Sequence, residues 1–311
     1  MELAKIKNGL NSSGIFENKF IRIKHFVSNP FRIIWNIYRK NIKFRIGFTI
    51  ILIMLILGFV LSPFAPMNTT KWYAVPKDQP PSTTYLLGTT SMGRDVFWEL
   101  CSSIKNSLII AAVTALISAH LGLVVGLVSG MKGGILDRIL MFITDTFVVI
   151  PGLPLLIVVI AVLREWITMI WLGVLMSLIS WAFSSRQVRA MVLSLRERTF
   201  VYTAKLSGMG SSKIILREIM PYLLGWHLIN LANTVLFSIG FEAGLAVLGL
   251  SLLNQNTLGV MIYWALNQYY AMFRGIWWWI GTPLVILVSI FIALYLISVG
   301  LNEFLVPLRG K

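Results

Sequence analysis

Six long apolar runs constrain the fold of this chain more strongly than any other feature of its sequence. Each run is near the length that crosses the hydrocarbon core of a bilayer, and together they cover residues 46–61, 107–129, 139–163, 167–183, 222–250 and 277–300. Backbone polar groups inside a bilayer must find their partners within the protein, so runs of this kind predict helices. The sequence therefore predicts an all-α membrane protein with about six transmembrane helices.

Composition supports a membrane protein and excludes an ordinary soluble domain. Hydrophobic residues make up 57% of the chain and charged residues only 13%, a balance that soluble globular domains do not show. The net charge is +15, which in a soluble protein would suggest a nucleic-acid partner. In a membrane protein, the enrichment of lysine and arginine in cytoplasmic loops explains this charge, and no nucleic-acid partner is expected.

The distribution of basic residues predicts the orientation of the chain. The connection between the fourth and fifth runs is the most basic one and contains Arg186, Arg189, Arg196, Arg198, Lys205, Lys213 and Arg217. The second-to-third connection and the C-terminal tail add Lys132, Arg138, Arg309 and Lys311. All these regions lie on one side if the chain crosses the membrane six times, so we expect both termini in the cytoplasm.

This alternation divides the chain into predicted regions. They are a cytoplasmic basic N-terminal segment at 1–45, a first transmembrane helix at 46–62, an extracytoplasmic loop at 63–103, a five-helix core at 104–302 that includes a cytoplasmic hairpin at 196–221, and a cytoplasmic tail at 303–311. Basic and apolar residues alternate in the N-terminal segment, which predicts an amphipathic helix on anionic membrane lipids. A basic tail that only sets the topology explains the same pattern.

The segment Thr199–Pro221 is polar and basic between two apolar runs, so it must lie in water. Its helical spacing is interrupted at Gly208 and Gly210, where glycine permits a backbone reversal at low steric cost. We expect Pro221 to end the second helix at the start of the fifth span. The pattern predicts a compact helical hairpin. An ordinary basic loop would explain the charge but not the glycine break and the proline.

Two acidic residues lie inside predicted spans. Asp145 precedes Pro151 by six residues, and Glu242 lies between Gly240 and Gly244. An intramembrane carboxylate is a candidate functional group, although an arginine or a backbone amide can make it purely structural. Small residues recur every four positions in the second span, at Ser118, Gly122, Gly126 and Gly130. This spacing predicts close helix packing and no transport role.

Several kinds of catalytic site are missing from the sequence. There is no G-x-x-x-x-G-K-[ST] phosphate loop and no G-x-S-x-G elbow. The histidines, His25, His120 and His227, have no metal-ligand spacing, and the single cysteine, Cys101, excludes an internal disulfide. We therefore predict a chain that is not an enzyme and holds no metal or cofactor of its own.

The hairpin contains a spaced set of residues, namely Tyr202, Thr203, Ala204, Gly208, Ile214 and Pro221. This set resembles the cytoplasmic EAA motif of ABC importer permeases, which reads E-A-A-x-x-x-G, then an isoleucine and a His-x-x-Pro ending. Here Tyr202 replaces the glutamate, Thr203 the first alanine and Glu218 the histidine.

Other segments resemble the dipeptide and oligopeptide group of that family. Gly88–Val96 is similar to its G-T-D-x-x-G-R-D-V signature, with Thr90 in place of the aspartate. Glu242–Leu250 is similar to its E-x-x-L-S-F-L-G-L segment, and Trp35–Gly47 resembles the lead-in of its C-type subunit. Asp137, Arg138, Asp145 and Pro151 resemble its entry to the third span. The resemblance covers residues 35–305, nearly the whole chain.

The resemblance implies a type I ABC importer permease fold and a set of partners. These are a second permease subunit, two ABC ATPase subunits that bind ATP and magnesium, and an extracytoplasmic substrate-binding protein. Residues expected to couple to the ATPases are Tyr202, Thr203, Ala204, Gly208, Met209, Gly210, Ser211 and Pro221. Residues expected to face the binding protein are Gly88, Gly93, Arg94, Asp95, Tyr263 and Trp264. The implied solutes are peptides, with oligosaccharides (as in archaeal members) or nickel as alternatives.

Functions of other classes are less well supported by the residues. A secondary transporter would need inverted repeats and more charges near the membrane midplane than Asp145 and Glu242 supply. Uptake by the chain alone and without ATP would favour it. A structural scaffold would tolerate deletion of the hairpin. The aromatic segment Ser251–Gly275 is explained either by an interfacial belt or by a re-entrant or surface helix that meets a partner.

Overall fold

A computed structural model describes residues 30–163, 166–268 and 270–305. Residues 1–29 of the predicted N-terminal segment and 306–311 of the predicted tail lie outside the described residues. Within those ranges the regular structure is helical, and the β contact found there is an isolated bridge between Thr89 and Asp95. The prediction of an all-α protein is therefore confirmed.

The described ranges contain a series of α-helices with three π-helical segments. In chain order the α-helices are α1 (Pro30–Lys40), α2 (Ile42–Leu55), α3 (Val96–Lys132), α4 (Gly134–Val149), α5 (Gly152–Leu163), α6 (Met169–Arg196), α7 (Thr199–Leu206), α8 (Ser211–Ile214), α9 (Met220–Val247), α10 (Leu258–Tyr263) and α11 (Trp277–Leu305). The π-helical segments follow α2, α8 and α10 and are Ile56–Leu61, Ile215–Ile219 and Trp264–Gln268.

The helices account for five or six candidate membrane spans among the described residues. Five helical segments are individually long and apolar enough to cross a bilayer, namely Ile42–Phe64, Val96–Lys132, Met169–Arg196, Ser211–Val247 and Trp277–Phe304. The helices α4 and α5 complete a sixth span only as a broken pair, because they are bent by 82°. The apolar run at 139–163 was expected as one continuous helix. Pro151 lacks the amide proton that a continuous helix needs at this point.

Two helices begin earlier than their apolar runs predict. Asp95 caps α3 by accepting a hydrogen bond from the Phe97 amide at 2.9 Å, so the loop expected at 63–103 ends before Val96. Asn41 caps α2 in the same way, with 3.0 Å between its Oδ1 and the Phe44 amide nitrogen. Capping side chains satisfy the first amides of a helix and set its start independently of hydrophobicity.

Pro221 does not end a helix, contrary to the prediction from the sequence. The segment Ser211–Val247 is continuous, and the π turn Ile215–Ile219 lies just before the proline. In a regular α-helix the proline ring would collide with the carbonyl four residues earlier. The wider π turn displaces that carbonyl, and Pro221 then occupies the start of α9, where the missing amide proton costs little.

The helices α3 and α6 form the most extensive packed pair in the described part of the chain. A side chain added at Gly126 would place its Cβ 2.6 Å from the Ser185 carbonyl oxygen, and one at Gly130 would lie 2.8 Å from Val192. A Cβ added to Gly122 would come similarly close to Ser184. The close packing predicted from the four-residue spacing is confirmed. It places α3 and α6 in backbone contact along several turns.

Helices near the two ends of the chain pack against each other. The helix α1 is the described part of the predicted amphipathic segment, and its Ile37 is buried against Phe44 and Leu301. The short helix α10 is buried among α3, α9 and α11. Gly259 permits this contact, since an added Cβ would lie 2.6 Å from the Ala243 Cα. The segment Ser251–Gly275 thus contains a short helix packed against other helices of the chain, and its contact with a partner stays a prediction.

Candidate coupling surface and loop network

The corner of the predicted hairpin has the geometry of a Schellman motif. Gly208 has a φ angle of +76°, in the left-handed region. Its amide donates to the Lys205 carbonyl at 3.0 Å, and the Met209 amide donates to the Ala204 carbonyl at 3.1 Å. These two bonds satisfy the last carbonyls of α7. The corner between α7 and α8 is therefore a defined turn.

Gly210 plays a different part from the one expected. Its φ angle is −67°, which any residue adopts, and it caps α8 without a side-chain hydrogen bond. An added Cβ at Gly210 would meet no atom within 4 Å. The structure therefore requires glycine at Gly208 for conformational reasons and not at Gly210.

One face of the hairpin is buried against the C-terminal halves of α3 and α6. Its side chains are Val201, Ala204, Ile214, Ile219 and Leu223, and they pack on Leu123, Leu127, Val188 and Val192. Burial of each large aliphatic side chain contributes about 1.5–3 kcal/mol. The hairpin is thus firmly attached to the membrane helices.

The opposite face of the hairpin is exposed and partly apolar. Tyr202, Leu206 and Leu216 are 65%, 78% and 65% exposed. Exposed basic residues surround them at Lys205, Lys213 and Arg217, and Thr203, Ser211 and Ser212 are exposed beside them. We call these exposed residues the hairpin surface. Large apolar side chains with a polar rim are typical of a protein contact. Of the other expected coupling residues, Ala204 is buried, and Met209 and Pro221 are half-buried.

Two ion pairs join α4 to α6 next to the hairpin. Arg189 binds Asp137 through two hydrogen bonds of 2.7 Å each. Arg186 lies 2.7 Å from Asp145, whose side chain is 50% exposed. Asp145 is therefore not a buried carboxylate, and its partner is an arginine, the structural alternative that the sequence left open.

The loop that precedes α3 folds into the chain. Residues 88–95 are buried, and left-handed φ angles of +75° and +70° occur at Gly88 and Gly93. A Cβ on Gly93 would lie 2.8 Å from the Tyr73 Cα, so only glycine fits there. This burial does not fit the expectation that Gly88, Gly93, Arg94 and Asp95 face a binding protein. These four residues instead pack inside the chain and fix the conformation of the loop.

Arg94 forms a buried ion pair at the centre of this loop. Its Nη1 lies 2.8 Å from Glu99 Oε1, and the two side chains are only 6% and 2% exposed. The second terminal nitrogen donates to the Thr70 carbonyl at 2.7 Å. Removing one member of a buried pair leaves an uncompensated charge, so loss of either Arg94 or Glu99 would strongly destabilise the fold.

A chain of amide contacts connects this pair to the start of α10. Arg94 reaches Asn256 Oδ1 at 3.4 Å, and Asn106 donates to the Asn256 carbonyl at 2.7 Å. Ser107 accepts a hydrogen bond from the Leu258 amide at 3.1 Å. The loop, α3 and α10 are thus joined on the side opposite the hairpin.

Asp95 lies at the junction of the loop and α3. Burial is the largest influence on its carboxyl group and raises its pKa, whereas hydrogen bonds from the Trp98 and Phe97 amides act in the opposite direction. The carboxylate serves as the helix cap and is not available on the surface.

Glu242 is an anchor for α10 at the end of α9. The side chain is 1% exposed, and its Oε1 accepts hydrogen bonds from Ser251 and Thr257 at 2.8 Å each. Thr257 in turn caps α10 by accepting from the Val260 amide at 3.1 Å. The sequence marked Glu242 as unusual but did not reveal its partners, because Ser251 and Thr257 come from the following loop.

Tyr263 and Trp264 are half-buried beside this anchor. The Trp264 ring meets the Trp72 ring edge-on, with 5.8 Å between their centroids. The Tyr263 ring lies over Gly249, whose φ angle is +76°. Both aromatic residues thus pack the loops together.

The residue of this network that the sequence analysis missed is Glu99. It is an acid one helical turn after the cap Asp95 and five residues after its partner Arg94.

Similarity to known proteins identifies the family of this chain. Residues 122–311 match the family described as "Binding-protein-dependent transport system inner membrane component". The oligopeptide transport system permease protein OppC of Lactococcus lactis subsp. cremoris is 31% identical over 238 residues, which are 76% of this chain and 78% of that protein. The protein of the same name from Mycobacterium tuberculosis is 30% identical over 199 residues, 64% of this chain and 68% of that protein.

A relative from a second transport system matches over a longer range. The dipeptide transport system permease protein DppC of Bacillus subtilis is 29% identical over 282 residues, which are 88% of this chain and 84% of that protein. The family match and the apolar helices together confirm a multi-pass protein of the cell membrane. The chain belongs to the family of binding-protein-dependent transport system inner membrane components, the permeases of ABC importers.

Proposed function

We propose that this chain is a permease subunit of an ATP-driven peptide importer and forms the translocation pathway with a second permease subunit. The names of the relatives support peptides as the solute, because they are oligopeptide and dipeptide permeases. ATP is hydrolysed by partner ATPase subunits, and an extracytoplasmic binding protein delivers the solute.

The observation that carries this proposal is the two-sided hairpin. Its exposed apolar side chains Tyr202, Leu206 and Leu216 offer a contact for an ATPase subunit. Its buried face is packed on α3 and α6, and α8 continues into α9. Packed helices shift as units between discrete arrangements. A displacement of the hairpin by the ATPases would therefore move the membrane helices as well.

The binding protein would meet the side of the chain that carries the loop and α10. Because residues 88–95 are buried, its contacts must come from other residues. Exposed aromatic side chains occur between α10 and α11, with Tyr270, Phe273 and Trp277 at 60%, 92% and 66% exposure. Aromatic residues are enriched at protein contacts, and we propose this segment as the contact.

Crosslinking tests the contact between the hairpin and an ATPase. Lys205→Cys and Ser211→Cys, each in a Cys101→Ser background, are expected to crosslink to the co-expressed ATPase subunits through a short bifunctional thiol reagent. Leu86→Cys is the control, since Leu86 is 61% exposed in the loop before α3 and should not crosslink to an ATPase. Absence of any ATPase crosslink at both hairpin positions during turnover, or peptide uptake that persists at full rate without ATP, would refute the proposal.

A further inference from the structure

A cleft of about 480 Å³ opens between α4, α5, α6 and α9. Its volume is in the range of small-molecule binding sites. Six uncharged polar side chains line it, namely Ser180, Ser184, Gln187, Asn230, Asn233 and Thr234. Aromatic rings, including those of Phe183, Trp226 and Phe237, form much of the remaining wall. Among the described residues, no acidic or basic side chain lines the cleft.

Asn233 makes this cleft unusual for a membrane protein. It lies at the midpoint of α9 and is exposed. Its Oδ1 accepts a hydrogen bond from Ser298 at 3.1 Å. Its amide protons find no acceptor within the described ranges. Gln187 is also exposed, and its side chain makes no hydrogen bond to the residues that the structure covers.

Helix packing alone does not explain these amides. Polar side chains often join transmembrane helices, and the Asn230 amide does so by donating to Ser184 at 3.1 Å. Asn233 and Gln187, in contrast, point an amide out of the packed helices. An amide left without a partner in hydrocarbon costs several kcal/mol. The cleft must therefore face water, a solute or another protein, and not lipid.

We propose that this cleft is the part of the translocation pathway that this chain contributes, and that it recognises neutral hydrogen-bonding groups of the solute without ion pairs. This inference rests on the proposed function as an importer permease. The lining suits a chain-like solute in which hydrogen-bonding groups alternate with apolar surface. Amides and side chains of a peptide have this chemistry, and so have hydroxyl groups and ring faces of an oligosaccharide.

Thiol labelling in the complete transporter tests whether the cleft is wet. Asn233→Cys is compared with Ile292→Cys, each in a Cys101→Ser background. Ile292 is 49% exposed near the midpoint of α11 and is our lipid-facing control at a similar depth. A charged, membrane-impermeant thiol reagent is expected to react at least tenfold faster with Asn233→Cys. Equal, slow reaction at both positions in a transporter with normal uptake would overturn the proposal, because Asn233 would then be covered by a partner or by lipid.

Protection by solutes tests the chemistry of recognition. A tripeptide with neutral side chains, or a linear neutral trisaccharide, is expected to slow labelling of Asn233→Cys when the binding protein and ATP are present. Protection by the tripeptide or by the trisaccharide identifies which class of solute supplies the neutral groups. Protection by trilysine or triglutamate alone would overturn the proposal, since the cleft offers no ion-pair partner.

Uptake kinetics separate this inference from the function on which it rests. Asn233→Leu is expected to lower the maximal rate of uptake about tenfold when the binding protein is saturated with solute, the effect of one hydrogen bond lost to the solute in the cleft. Asn233→Gln should restore it in large part. An unchanged maximal rate in Asn233→Leu would count against the cleft alone. ATP-independent uptake by the unsubstituted transporter would instead refute the importer, whatever the labelling shows.

Discussion

Gly208 and Gly210 lie two residues apart in the corner of the hairpin, but they have different backbone conformations. Gly208 has a φ angle of +76°, and Gly210 has one of −67°. Neither has an atom within 4 Å of the position that a Cβ would take. Any penalty for a side chain at these sites is therefore a penalty on the backbone and not on packing.

Replacing each glycine in turn by alanine should destabilise the protein at Gly208 but not at Gly210. We expect Gly208→Ala to destabilise the folded protein by about 1–2 kcal/mol, the cost of a left-handed conformation for a residue with a Cβ. Gly210→Ala should be nearly neutral, since a poorer helix cap is offset by a less flexible unfolded chain. The melting temperatures of both purified variants provide the measurement. Equal melting temperatures would contradict the positive φ angle at Gly208.

Buried charges at the residue scale were only partly predictable. An acidic residue within an apolar run, such as Glu242, is recognisable in the sequence as unusual, because a charge inside a membrane is costly. Its partners were not predictable, since hydroxyl groups of Ser251 and Thr257 reach it from a loop. The same holds for Arg94, whose contacts with Thr70 and Asn256 come from distant positions.

At the scale of helices, two prolines show what sequence patterns predict and where they fail. Pro151 follows Ile150, which has an extended ψ angle of 123°, and the span breaks there. Pro221 follows Met220, which remains helical with a ψ angle of −43°. The residue before a proline is normally driven out of the helical region. The π turn ahead of Pro221 relieves the other clash, between the proline ring and the carbonyl four residues earlier, and no composition signal distinguishes the two cases.

The contact between α3 and α6 depends on the glycine ridge of α3. We expect Gly126→Ala to destabilise the protein by about 1–3 kcal/mol, because the new methyl group would push against backbone in a tightly packed pair. The matched control is Gly244→Ala in α9, where an added Cβ meets no atom within 4 Å. That change should be neutral or stabilising by up to about 1 kcal/mol, since alanine favours a helix.

Thermal inactivation in one detergent measures both variants of this pair. A loss of stability in Gly244→Ala as large as that in Gly126→Ala would show that the ridge has no special role. The four-residue spacing of glycines predicted close packing of this span but not that α6 is its partner. The cleft was beyond prediction, because Ser184 follows one apolar run and Asn233 lies within another, and only the packing of α6 near α9 brings them together.

At the scale of the whole molecule, the segment Ser211–Val247 connects the hairpin to the anchor of α10. Its 37 residues extend over about 55 Å if the rise is that of an α-helix. The hairpin surface lies at one end, Asn233 near the middle and Glu242 close to the other end. A single rigid element thus extends from the hairpin surface, past the cleft, to the hydrogen bonds of Glu242 with the loop before α10.

A charge in the hairpin surface should uncouple transport without unfolding the chain. Leu206 is 78% exposed, so Leu206→Glu is expected to change the free energy of unfolding by less than about 0.5 kcal/mol. We expect ATP-dependent uptake to fall at least tenfold, because an apolar contact residue is replaced by a charge. Leu86→Glu in the loop before α3 is the control and should transport normally. Full uptake in Leu206→Glu would exclude this face from coupling.

The π turn at Ile215–Ile219 also has a consequence for chain length. Each residue of an α-helix rotates the following part by about 100°, and a π turn is a local departure from that count. Deleting or adding one residue between Leu206 and Asn233 would therefore turn the cleft side of α9 by more than a quarter of a circle relative to the hairpin. We therefore expect the segment to tolerate substitution more readily than a change in the number of its residues, and the proposed coupling to depend on its angular phase as well as on its contacts.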